Sequence, residues 1–119
     1  MSESIIKKKS FDFAVSIVEL CRSLRSDQKE FVISSQLLRS GTSVGANVRE
    51  ALNGMSTRDF VFKLTVAQKE CDETLYWLEL LEATDQISST QFEKLHLEAA
   101  KLLKIIRSII LTTKTKSGL

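Results

Sequence analysis

The chain contains no proline and only four glycines, and this scarcity limits the folds that are open to it. Sheets with many turns use proline and glycine at those turns, whereas both residues interrupt a helix. The sequence therefore favours long, uninterrupted helices. At 119 residues, the chain is long enough for one domain with its own core.

Apolar residues recur at helical spacing in four segments that are separated by short polar links. The predicted helices cover residues 10–25, 31–53, 57–83 and 89–113, each bound being approximate. Ser56 with Asp59, and Ser88 with Gln91, match the capping-box pattern that begins a helix. Gly54 occupies the position of a C-terminal helix cap.

Short links make consecutive helices run in opposite directions. We therefore predict an all-α fold in which residues 1–119 form a single domain. Its architecture is expected to be an antiparallel up-down-up-down four-helix bundle. The last six residues, KTKSGL, are expected to fray.

The segment SGTSVGAN at 40–47 fills the middle of the second predicted helix with poor helix formers. Each glycine costs a helix ~1 kcal/mol relative to alanine, so the missing side chains need a reason. Either another backbone approaches closely, or a local break builds a site. Gly41 and Gly45 are four residues apart and share one helix face. Because the chain lacks the usual catalytic motifs, we favour close helix packing at these two glycines.

The third predicted helix is apolar on two sides, although a helix at the edge of a bundle buries only one. Its second apolar stripe needs another cover, and tryptophan is enriched at the centres of protein interfaces. We predict that this stripe is an interface between copies of the chain in a homo-oligomer. The alternative is a wide buried face within one bundle. The stripe consists of Phe62, Val66, Trp77 and Leu80.

Charge is distributed unevenly along the chain. Residues 70–85 contain six acids and no base, whereas residues 101–119 contain five bases and no acid. In an up-down bundle, the end of the fourth helix lies beside the start of the third, the end of the second and the N-terminal lysines. One end of the bundle is therefore predicted to be basic. This basic end comprises Lys7, Lys8, Lys9, Arg49, Arg58, Lys63, Lys104, Arg107, Lys114 and Lys116.

Two interpretations of the basic end are open. It is a surface for the phosphate backbone of RNA or DNA, or its charges serve only helix dipoles and solubility. No aromatic residue interleaves with the basic residues in the sequence, so base stacking is not predicted.

Residues for catalysis or metal binding are sparse. The single histidine, His96, has no cysteine, aspartate or second histidine at ligand spacing, and the phosphate-loop, dinucleotide, HExxH and CxxC motifs are missing. We expect a non-enzymatic protein without metal or cofactor, and hold a hydrolase or metalloenzyme as the weaker alternative. Cys21 and Cys71 lie on apolar stripes and are expected to be buried. Without a membrane-spanning segment or secretory signal, the sequence predicts a cytoplasmic protein.

Two long blocks resemble a known family. QLLRSGTSVGANVREA at 36–51 and DFVFKLTVAQKECDETLYWLELL at 59–81, supported by 9–20 and 104–116, resemble the 23S ribosomal RNA intervening-sequence proteins. The resemblance covers roughly residues 8–116 and implies an antiparallel four-helix bundle. Arg49 departs from the family pattern, which has a small or apolar residue there, and adds a positive charge to the end of the second helix.

The same family is similar to the accessory variability determinant of diversity-generating retroelements, a bundle that forms a pentameric ring with a basic surface. The resemblance therefore implies a homo-oligomer, specifically a pentamer, and a nucleic-acid partner. We expect an oligomeric nucleic-acid-binding or ribonucleoprotein accessory factor. The alternative is a structural assembly that binds a protein partner and has no nucleic-acid role.

Overall fold

The computed structural model describes residues 2–119, and Met1, the first residue of the predicted domain, lies outside this range. The described residues form four α-helices and no strand. The helices are α1 (Ser2–Asp27), α2 (Val32–Leu52), α3 (Thr57–Ala83) and α4 (Ser89–Ser117). They pack into a bundle that measures 48 × 21 × 21 Å. The predicted all-α four-helix fold is confirmed.

Each helix packs against two others: α2 lies between α1 and α3, and α4 closes the bundle by packing on both α1 and α3. Contacts across the α2–α3 seam run in opposite chain directions, since Glu50 pairs with Lys63 while Ser40 lies beside Thr74. Consecutive helices are therefore antiparallel along this seam. The start of α1, the end of α2, the start of α3 and the end of α4 accordingly share one end of the bundle.

The first helix begins eight residues before the predicted start at 10. Ile6 is 1% exposed and belongs to the hydrophobic core. It is seven residues before Phe13, two helical turns along the same core face. The sequence interpretation was wrong here because the three lysines at 7–9 suggested a polar lead. In the helix they point away from the core face and are exposed.

The predicted end of α4 at 113 is also wrong, because the helix continues to Ser117. Gly118 then adopts the left-handed conformation with φ 70°, and the N–H of Leu119 donates to the Lys114 carbonyl. A glycine is favoured in this helix-ending conformation because it lacks a Cβ. Four residues that were expected to fray are thus helical, and they carry Lys114 and Lys116.

Gly54 does not cap α2, as the sequence had suggested. Asn53 is the cap residue, and among the glycines only Gly118 has a positive φ. Gly54 instead leaves room for Asp59, since an added Cβ would lie 2.6 Å from its Oδ2. The need for glycine here comes from the close approach of a side chain.

The starts of α2, α3 and α4 are capped by side chains in different ways. Both carboxylate oxygens of Glu30 accept backbone N–H groups from the first turn of α2. Ser56 accepts from the Asp59 N–H in α3. Ser88 and Gln91 form the complete, reciprocal capping box at α4, as their spacing predicted.

The two signature glycines face α1. A Cβ at Gly41 would lie 2.8 Å from Cγ2 of Ile17, and one at Gly45 would lie 3.2 Å from the carbonyl oxygen of Ser10. Ile17 is fully buried. The small residues therefore allow α1 to approach α2 more closely than alanine would permit.

On the α3 side of α2, the Ser40 and Thr74 hydroxyl oxygens lie 2.9 Å apart, and both residues are fully buried. These hydroxyls also lie within hydrogen-bond distance of carbonyls in their own helices, at Leu37 and Glu70. The polar residues of the signature segment are thus satisfied in the interior.

Candidate nucleic-acid interface

The predicted basic end draws cationic side chains from all four helices. Its lysines and arginines lie in the first turns of α1 and α3, the last turn of α2 and the C-terminal half of α4. Antiparallel packing brings these segments to the same half of the bundle. Lys104 lies furthest inward: it is five residues, about 8 Å, beyond Ala99, whose carbonyl contacts Cys71 near the middle of α3.

Two of the ten cations are engaged by carboxylates. Lys8 contacts Asp12 at 2.9 Å within α1, and Lys63 contacts Glu50 at 2.9 Å across the α2–α3 seam. The hydrogen bond with Glu50 raises the pKa of Lys63, so this side chain remains charged in ordinary buffers. Across residues 2–119, the other eight form no ion pair. Their charges are therefore available to an anionic ligand.

Three of these eight unpaired cations form a row on α4. Lys104, Arg107 and Lys114 are exposed, and spacings of three and seven residues place them on one helix face. The charge of Arg107 lowers the pKa of the Cys71 thiol, so it lies on the side of α4 that faces α3. Burial outweighs this effect and raises the pKa of Cys71 to about 12. The thiol is therefore a poor nucleophile.

A groove between α1 and α2 brings an aromatic ring among the basic residues. Lys7 and Phe11 line it from α1, and Arg49 lines it from α2. The ring is 56% exposed. The sequence interpretation found no aromatic residue interleaved with the basic ones, and this is wrong in three dimensions. Lys7 and Phe11 are four residues apart on one helix, and that spacing was the available signal.

A second groove, at the tip of the bundle, has a volume of about 570 Å³. Hydroxyl groups of the α2–α3 turn and of α4 line it, together with the carboxylate of Glu3. No lysine or arginine lines this groove. It is therefore less suited to phosphate than the surrounding basic surface.

The predicted interface stripe on α3 is divided between exposed and half-buried side chains. Phe62 is 60% exposed, whereas Val66, Trp77 and Leu80 are half-buried. Trp77 packs against the core, and its indole N–H donates to Glu73 Oε2 at 2.9 Å. Sequence reasoning missed Tyr76, which is 57% exposed and meets Trp77 edge to face.

Acidic residues of α3 are concentrated in the opposite half of the bundle. Arg39 of α2 reaches across the seam and binds the carboxylates of both Glu70 and Glu73. His96 of α4 lies 3.7 Å from Glu79. Within the described part of the chain, no three His, Cys, Asp or Glu side chains come together as a metal site, and no helix has an apolar stretch long enough to cross a bilayer.

Comparisons with known proteins agree on a family. The family model described as 23S rRNA-intervening sequence protein matches residues 2–108. A solved structure at 1.70 Å, of a protein of unknown function from the S23 ribosomal protein family of Bacteroides thetaiotaomicron VPI-5482, has a TM-score of 0.91 to this chain. The two sequences are 49% identical, and the match covers 92% of this chain and 98% of that one. No curated protein matches.

Proposed function

Because this chain belongs to the family of 23S rRNA-intervening sequence proteins, we propose that it binds the phosphate backbone of nucleic acid through its basic end. One observation carries the proposal: eight cations from four helices share one half of the bundle without carboxylate partners. Lysine and arginine that contact phosphates release condensed counterions, and this release drives association. The family name and that of the solved relative make RNA the first ligand to test, with DNA as the second.

The protein acts by binding, without catalysing a reaction. Both thiols are buried, and burial raises the pKa of Cys21 to about 11 and that of Cys71 to about 12. At neutral pH neither is a thiolate, so neither offers a nucleophile. The role that remains for the basic end is to hold a polyanion in a fixed orientation, as an accessory factor in a ribonucleoprotein would.

Binding is expected to fall steeply with salt. If about four of the eight cations contact phosphates, affinity for a duplex should drop about 100-fold between about 50 mM and about 200 mM salt. Gel retention of labelled RNA and DNA across this range measures the slope. Absence of retention at the lowest salt would refute the proposal. Capture of a protein partner that is insensitive to salt would favour a protein-binding assembly instead.

We also propose that the chain forms a homo-oligomer through the stripe on α3, with a pentamer expected from the family resemblance. A ring would repeat the basic end around its axis and strengthen the field that an approaching polyanion meets. Phe62 is the most exposed member of the stripe, and a large exposed ring that packs on nothing within its own subunit suits an intersubunit contact.

Phe62→Ala is expected to lower the mass in solution and to leave the stability of the monomer within about 0.5 kcal/mol. The exposed ring loses few contacts within its own subunit, whereas Trp77→Ala should weaken both. Light scattering and thermal denaturation measure the two effects, with Phe31→Ala, which removes a ring that is 56% exposed at the start of α2, as the control. A parent protein with the monomer mass of 13.4 kDa at micromolar concentration would contradict the oligomer.

A further inference from the structure

The groove between α1 and α2 combines an apolar floor with a cationic rim. Its volume is about 400 Å³, within the range of about 300–1,000 Å³ that is typical of small-molecule sites. Ala14, Gly45 and Ala46 line the floor, and none of them carries an atom beyond Cβ. The close approach of α1 at Gly45 leaves a shallow, flat surface that a planar ring can cover.

The walls supply a stacking surface and positive charge. The exposed ring of Phe11 stands over the groove, and no aromatic ring within residues 2–119 stacks on it. Lys7 approaches from α1 and Arg49 from α2, and neither forms an ion pair with a described residue. The one acid that lines the groove, Glu50, is bound by Lys63 at 2.9 Å. The groove therefore fits a ligand with a flat apolar face and negative charge on two sides.

We propose that this groove holds one unpaired nucleotide of the bound nucleic acid. The base stacks on Phe11 above the floor, and the flanking phosphates contact Lys7 and Arg49. A base within a duplex is already covered on both faces, so the groove selects a single-stranded or bulged position. This inference rests on the proposed function and names the part of the nucleic acid that the basic end recognises.

Two other recesses in the same half of the bundle lack this combination. The groove at the tip has the carboxylate of Glu3 and no cation. The recess beside Phe62 has a single cation, Arg58, and Leu119 forms part of its wall. Only the α1–α2 groove places cations on both sides of an exposed ring.

The test compares a labelled single-stranded RNA with the duplex of the same sequence, by fluorescence anisotropy at low salt. Phe11→Ala should weaken single-strand binding about 10-fold, as loss of a stacking contact does, and leave duplex binding unchanged. Phe11→Trp should retain the affinity. Ala46→Leu fills the groove from an exposed position and should also weaken single-strand binding. Quenching of 2-aminopurine in the strand should be present with the parent and lost with Phe11→Ala.

Phe31→Ala is the matched control, since it removes a ring of the same exposure, 56%, at the other end of the bundle. It should change neither affinity. If the parent retains both nucleic acids and Phe11→Ala binds like the parent, the groove is refuted while the phosphate surface stands. If the parent retains neither, the proposed function fails, and the groove proposal fails with it. A lower mass in solution for Phe11→Ala would assign the groove to a second copy of the chain and overturn the proposal.

Discussion

Gly41→Leu is expected to unfold the bundle or to lower its free energy of unfolding by at least about 3 kcal/mol. Even the first added atom, Cβ, would lie 2.8 Å and 2.9 Å from Cγ2 and Cγ1 of Ile17. Ile17 is fully buried and has no free space into which to move. The gain in helix propensity, about 1 kcal/mol, is too small to offset this overlap. Denaturant unfolding followed by circular dichroism measures the loss.

Ala46→Leu is the control for Gly41→Leu, because it adds leucine at an exposed position of the same helix. Its effect on stability should stay within about 0.5 kcal/mol. A second control uses the clash itself. Ile17→Ala removes both of the atoms that an alanine at Gly41 would strike, so the double variant should lose less stability than the sum of the two single variants. Strict additivity, or a stable Gly41→Leu bundle, would show that the helices do not depend on this close approach.

Replacing Lys104, Arg107 and Lys114 together by glutamine is expected to reduce affinity for RNA or DNA by roughly 100- to 500-fold at about 0.1 M salt. Each phosphate contact contributes about 0.7 to 0.9 to the slope of log affinity against log salt, so the slope should fall by roughly two to three. All three side chains are exposed, which makes a loss of folding an unsuitable explanation for the weaker binding. Gel retention across a salt series measures both quantities.

The matched control replaces Arg22, Lys29 and Lys94, three exposed cations outside the basic end, by glutamine. Each triple variant changes the net charge from +2 to −1, since three positive charges are removed. Equal losses of affinity in both variants would mean that overall charge governs binding. An affinity of the Lys104, Arg107 and Lys114 variant equal to that of the parent would refute the α4 row as a contact surface.

Local patterns predicted the parts of the fold that depend on neighbours in sequence. Ser88 and Gln91 are three residues apart, and their reciprocal cap follows from that spacing alone. The core role of Ile6 depends on how the other helices cover α1, so the three lysines that follow it concealed the true start of the helix. The end of α4 was missed for a different reason: the glycine that ends this helix is Gly118, whereas Gly54 had attracted the prediction.

The candidate site divides along the same line. Topology alone predicted that cations would gather at one end, because the direction of each helix decides which terminus lies there. The ion pair between Glu50 and Lys63 crosses two helices and requires their register. The groove that joins Phe11 to Arg49 has the same requirement, and Gly45 sets that register through its approach to α1. Spacing within a single helix does not contain this information.

Trp77 is the only tryptophan of the chain, and its surroundings make it an internal optical reporter. Its indole donates to Glu73, and the same carboxylate is held by Arg39 of α2. Separation of α2 from α3 therefore alters the acceptor of the indole, and with it the wavelength of emission. Fraying at the start of α1 or the end of α4 leaves this group untouched. Tryptophan fluorescence of this protein consequently follows one seam of the bundle, and any event elsewhere needs a different probe.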